Sequence, residues 1–198
     1  MVIVGGDRRR RIREALFLAA VAGSVLLPAA CARRSARSGA EDCVPPAGDA
    51  SPEGPDVSAL AGRYRVVLVA ESGSRAGQRT SGALELRAVR EPRGGGEDEA
   101  PLLLGRAAFD PEAVGAVRVG ALDTDDPAAP GVAVFRQRGR LLLRFGSDAN
   151  RRGVLRFDGA YFVGWVDRVG GDGFSGRWES GVAGPEARGT LCAQRLAR

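Results

Sequence analysis

Alternation with a period of two is the feature that most constrains what this chain can fold into. Phe174, Gly176 and Trp178 alternate with Ser175, Arg177 and Glu179, the pattern of a half-buried antiparallel strand. Tyr161 to Asp167 holds the densest aromatic run, and Gly171-Asp172-Gly173 supplies a turn between the two stretches. Gly189 to Leu196 reads as a further strand, carrying Cys192. Together these segments predict the closing wall of an antiparallel β-structure.

The same grammar runs upstream. Arg63 to Ala70 places Tyr64, Val66, Leu68 and Ala70 on one face, and Leu84, Leu86 and Ala88 alternate with Ala83, Glu85 and Arg87. Glu91 to Ala100 reads as a low-complexity hairpin tip, and Leu102 to Ala108 resumes as a strand. Asp110-Pro111-Glu112 has the form of a helix start, with an N-cap followed by proline at the first position, and room for one or two turns. Val117 and Val119 are expected in another strand. Val132 to Gln137 and Arg140 to Phe145 form a hairpin around Arg138-Gly139, with Leu141, Leu143 and Phe145 facing one way. Eight or nine short strands separated by turns, with no long amphipathic helix, predict an all-β, antiparallel up-and-down barrel, with a β-sandwich as the alternative. The folded domain is assigned to residues 57–198.

The N-terminus carries a different signal. Arg8 to Arg13 is basic, and the apolar run from Ala15 to Ala30 is about the length of a signal-peptide core and short for a membrane span. Residues 1–31 are therefore read as a signal peptide. Cleavage before Cys31 would leave a lipidated N-terminal cysteine, in a site that resembles the lipobox of bacterial lipoproteins; Pro28 departs from the leucine favoured there. Alternatively, Ala30-Cys31-Ala32 is an A-x-A site and Cys31 is removed. Residues 32–56, rich in Pro, Gly, Ser and charge, read as a flexible tether. Either route leaves Cys43 and Cys192 as a pair, and an oxidising compartment predicts one disulfide between them. With Leu191 turned inward, Cys192 falls on the outer wall, so the bridge would strap the tether against the last strand. Export to the periplasm or cell envelope, with a lipid anchor as the only membrane attachment, follows from this reading.

The net charge of +5 invites a nucleic-acid partner, but its distribution argues against one. All 29 basic residues are arginine, and five of them lie in the first 30 residues with only Asp7 and Glu14 as acids. The remaining 24 arginines face 22 acids, without the clustered cation density that phosphates require. A membrane-spanning barrel is disfavoured because Arg63, Arg65, Arg87, Arg144 and Arg177 alternate with apolar residues. Each would cost about 2–4 kcal/mol on a lipid-facing wall at mid-bilayer.

The opening Gly62-Arg63-Tyr64, the up-and-down strands and the late Arg195 resemble the lipocalin and wider calycin barrels. Those barrels begin with Gly-x-Trp and pack an arginine from near the last strand across that aromatic at the closed end. The resemblance implies an end-packing role for Gly62, Tyr64 and Arg195; Tyr64 stands in place of the tryptophan, and the mid-chain Thr-Asp-Tyr of the family has no counterpart.

Chemistry is read by exclusion. With no histidine in the chain, Ser-His-Asp and Cys-His catalysis and His-ligated metal sites cannot be built. Gly171-x-Gly173-x-x-Gly176 matches a dinucleotide fingerprint as a string, but a strand follows where a helix is required. Asp123-Thr124-Asp125-Asp126 lacks the downstream glutamate of a calcium loop. No catalytic, cofactor or metal residues are assigned, and no cofactor is expected. Two non-enzymatic classes remain. In one, the barrel holds a small apolar or amphipathic ligand; in the other, it is a structural or interaction module with a filled core. Gly82, Gly164 and Gly176 would thin the inner wall, whereas Phe145, Phe174 and Trp178 would fill it.

Overall fold

In the computed structural model, the described residues are Cys43, Pro46, 57–89, 100–146 and 159–197. The signal segment 1–31 with Cys31, most of the tether 32–56, and residues 91–99 of the hairpin tip lie outside them. Eight strands follow in order: β1 (Gly62–Ser72), β2 (Arg79–Ala88), β3 (Leu103–Ala108), β4 (Val132–Gln137), β5 (Arg140–Phe145), β6 (Tyr161–Gly170), β7 (Gly173–Gly181) and β8 (Ala187–Arg195). Each pairs antiparallel with the next, and β8 returns to pair with β1, so the sheet closes into an up-and-down barrel. Closure leaves no free sheet edge, and it rules out the sandwich.

Inward positions carry the apolar set that the alternation specifies. Tyr64, Val66, Leu68 and Ala70 from β1 are all buried, as are Leu84 and Leu86 from β2, Leu141, Leu143 and Phe145 from β5, and Leu191 and Ala193 from β8. Ala88, expected on the inner face of β2, is exposed instead, because it lies at the strand's last pairing position, beyond the packed interior.

Two sequence expectations need correction. Val117 and Val119 form no strand; after β3 the chain makes a single 3₁₀ turn, Glu112–Val114, and then runs on without ladder pairing. The reason lies in where its hydrogen bonds go. The Val117 N–H donates to Ser180 Oγ at 2.8 Å, and the Leu122 carbonyl accepts from the Ala107 N–H at 2.6 Å. With Val114, Ala116 and Leu122 buried against the core, the segment packs on the barrel end where β3 finishes and β4 begins. The second correction is local: Pro111 is the cap of the 3₁₀ turn and not its first residue, while Asp110 Oδ1 accepts the Glu112 N–H at 3.1 Å.

Aromatic rings fill the interior near this end. Phe145 stacks on Phe162 with centroids 4.6 Å apart, and Phe109 and Trp178 meet Phe162 edge-on at 6.2 and 5.8 Å. The inner-wall glycines seat these rings. The Phe145 ring edge lies 3.4 Å from where a Cβ on Gly164 would stand. A Cβ on Gly189 would come within 2.9 Å of Trp178 Nε1 and 1.8 Å of the Val69 carbonyl oxygen, so only glycine lets the indole lie there and donate to that carbonyl at 3.2 Å.

Candidate functional site

The end opposite the aromatic stack brings together the three residues singled out by the barrel resemblance. Arg195, the last residue of β8, lies with its guanidinium carbon 5.0 Å from the Tyr64 ring centroid. It donates to Tyr64 Oη at 2.7 Å, to the Ala61 carbonyl at 3.0 Å, and to the Ala59 carbonyl. Tyr64 Oη in turn donates to the Leu60 carbonyl at 2.9 Å. The turn Val57–Leu60 is thereby pinned across the barrel end, with the Phe174 ring edge-on to Tyr64 at 5.1 Å behind it. Burial pushes the Tyr64 phenol above its ordinary value, and the Arg195 charge partly opposes that shift. These hydrogen bonds tie the ends of β1 and β8 to the turn before β1.

Cys43 and Cys192 form the disulfide, with Cα atoms 6.0 Å apart and a sequence separation of 149. Cys192 sits on the outer wall, between Val67 of β1 and Ser175 of β7 in register. Such a bond belongs to an oxidising, non-cytoplasmic compartment.

Beside the disulfide, the outer wall carries a groove of about 380 Å³. Its floor follows from β1: Val67 and Val69 point outward yet are buried and half-buried. One side is Cys43 with its partner Cys192, and Ser175 and Thr190 complete the base. The rim is cationic. Arg79 comes from the start of β2, Arg177 from β7 and Arg168 from β6, all exposed. The only acid among the described lining residues is Asp167, which accepts from Arg140 at 2.8 Å and from Arg177 at 3.1 Å.

A bulge in β6 makes the rim. Pairing with β7 shifts register between Val166, opposite Gly176, and Arg168, opposite Ser175. The extra residue lets Asp167 and Arg168 both face outward, whereas strict alternation would turn Arg168 into the apolar interior. Val169 then resumes the inward direction against Phe174.

Of the groove lining, the sequence pointed to Cys43 and Cys192 as a disulfide but not to a groove beside them. One signal was present: Arg65-Val66-Val67-Leu68-Val69-Ala70 is apolar on both faces after its first residue, the mark of a strand covered on both sides. Bulges leave no comparable trace in composition. The outer wall also departs from a simple polar face on β4 to β6, where outward Ala133, Phe135, Leu142 and Val163 are buried and arginines lie over two rings. The Arg144 guanidinium carbon is 4.5 Å from the Phe135 centroid, and that of Arg140 is 4.9 Å from the Trp165 centroid.

Gly171 is in the turn joining β6 to β7, and Gly173 and Gly176 are in β7 itself. In the acidic loop, Asp126 Oδ1 accepts the Ala128 N–H at 2.9 Å, and Asp125 lies 3.5 Å from Arg106. Among the described residues, no group of three or more His, Cys, Asp or Glu comes together as a metal site, and no helix is long and apolar enough to cross a membrane. No protein-family model, curated protein or solved structure matches the chain.

Proposed function

We propose that the protein is an exported, non-enzymatic module of the cell envelope that binds through its outer wall, with a barrel interior devoted to stability. The observation that carries this reading is the filled interior. Tyr64, Phe145, Phe162, Phe174 and Trp178 are each at most 2% exposed and in ring contact with one another or with Phe109. An eight-stranded barrel has just enough width for side chains or one small ligand, and here the side chains take the space. Export is supported by the basic and apolar N-terminal sequence together with the Cys43–Cys192 bond. Anchoring through a lipidated Cys31 is the attachment we favour.

Native mass spectrometry of the secreted protein tests the interior assignment. Wild type and Thr190→Trp, which places an indole in the outer groove, should both fly without an apolar passenger held inside. An apolar molecule retained equally by both would lie within the barrel and overturn the reading. Metabolic lipid labelling tests the anchor: label incorporated by the wild type and lost in Cys31→Ser is the expected result, and an unlabelled wild type would rule it out.

A further inference from the structure

We propose that the groove beside the disulfide is a binding site for a small anionic amphiphile, an acidic head group on a short aliphatic chain. The inference rests on the outer-wall reading above and names its ligand class.

Three independent features converge on that chemistry. First, the floor is apolar where the rest of β1 is not: the outward residues of that strand are Arg63, Arg65, Val67, Val69 and Glu71, so two valines interrupt a charged row. They are not needed for the interior, which β1 supplies through Tyr64, Val66, Leu68 and Ala70. With the disulfide along one side, the floor suits an aliphatic chain.

Second, the described part of the rim is richer in arginine than in acid. Beside Asp167, whose carboxylate is already divided between Arg140 and Arg177, Arg168 adds an exposed guanidinium. Arg168 makes no ion pair among the described residues. A head group with one negative charge would find a guanidinium next to an apolar floor, where partial desolvation strengthens the contact. A cationic head would meet repulsion, and a neutral one would gain nothing from the rim.

Third, the bulge that delivers Arg168 to the rim interrupts the β6–β7 ladder and leaves one residue unpaired. Bulges of this kind re-aim side chains and are over-represented beside active sites. The groove volume of about 380 Å³ lies at the small end of the range for ligand pockets, about 300–1,000 Å³. This limits the guest to a short chain.

The test is calorimetric titration of the disulfide-bonded protein with decanoate below its micelle concentration, with decanol and decyltrimethylammonium as neutral and cationic controls. Decanoate should bind at least about tenfold more tightly than either control. Arg168→Glu, an exposed change that leaves the Asp167 pairs intact, should weaken decanoate by tenfold or more, and Thr190→Trp should abolish binding while circular dichroism stays unchanged. Raising the salt concentration should weaken decanoate and not decanol. Vesicles containing phosphatidylglycerol provide a second arm. Their capture with the same sensitivity to both substitutions, without uptake of free decanoate, would assign the anionic group to a lipid head.

No binding in either arm overturns the ligand class and leaves the filled-interior reading standing. Equal binding of decanol overturns the anionic part of the proposal. Decanoate binding untouched by both substitutions overturns the groove as the site. If that binding is instead lost when the interior is altered, the outer-wall reading falls with it.

Discussion

Tyr64 is the residue on which the closed end depends, because its hydroxyl works in both directions. It donates to Leu60 and accepts from Arg195, while its ring carries the guanidinium. Tyr64→Phe keeps the ring and removes both hydrogen bonds, so the variant should lose about 1–2 kcal/mol in urea unfolding at neutral pH. The pH dependence has a definite sign. Burial raises the folded-state pKa of Tyr64 above the ordinary value of about 10. The unfolded chain therefore releases this proton first, and the contribution, complete below about pH 10, is lost as pH rises towards the folded-state value. Tyr161 is shifted in the same direction, by burial and then by Glu179 and Glu186. Wild type should consequently lose stability above about pH 10, and Tyr64→Phe should show a shallower alkaline decline that retains the Tyr161 share. An identical decline in both proteins would mean that the Tyr64 hydroxyl is not held as described. At this scale a short motif drew attention to Gly62, Tyr64 and Arg195, which the fold brings together. The groove arginines were not legible, since exposed arginines recur throughout a chain whose basic residues are all arginine.

At the scale of elements, the sequence pattern located all eight strands and failed where hydrogen bonding, not side-chain pattern, decides. Val117 and Val119 alternate as a strand should, yet neither enters a ladder: β4 pairs with β3 only over Leu103–Gly105, and the Ala107 N–H beyond that pairing donates to the Leu122 carbonyl. Ser180 takes the segment instead. It is fully buried at an inward position of β7, accepts from the Val117 N–H and donates to the Tyr161 carbonyl, both at 2.8 Å. A serine in Trp178-Glu179-Ser180-Gly181 gives no sign of this from sequence, because its partner lies 63 residues away. Ser180→Ala leaves a buried N–H and a carbonyl without their partner and should cost about 1–3 kcal/mol. Hydrogen exchange at Val117 should accelerate more than exchange at β1 amides; uniform acceleration would argue against a local anchor. The β6 bulge was equally hidden. Val166-Asp167-Arg168-Val169 reads as ordinary strand sequence, and only the pairing with β7 reveals the extra residue. The glycines were read as a choice between a thin wall and a filled one. In the fold Gly164 makes room for Phe145, as does Gly189, not singled out from sequence, for Trp178, whereas a side chain at Gly82 or Gly176 would meet the Ala108 or Trp165 carbonyl.

For the molecule as a whole, two constraints act together: an aromatic interior, and a strap that ties the tether to the strand closing the barrel. Phe162 is the centre of the interior, touching Phe109, Phe145 and Trp178. Phe162→Ala should cost about 3–5 kcal/mol and leave a cavity able to admit a small aromatic probe that wild type refuses. The strap acts through the unfolded state. The Cys43–Cys192 bond spans a sequence separation of 149, and for a loop of that size the chain-entropy estimate is roughly 4–5 kcal/mol, with measured values often lower. Because Cys192 faces outward and pairs in register with Val67 and Ser175, replacing both cysteines leaves the interior packing untouched. The double variant Cys43→Ser, Cys192→Ser should therefore retain the wild-type far-ultraviolet circular dichroism. Its urea midpoint should fall, and its m-value should rise as the unfolded chain, freed of the cross-link, exposes more surface. A loss of stability with no change in m would instead assign the effect to contacts in the folded state around the groove. An unchanged midpoint would mean that the strap places Cys43 beside the groove without stabilising the barrel.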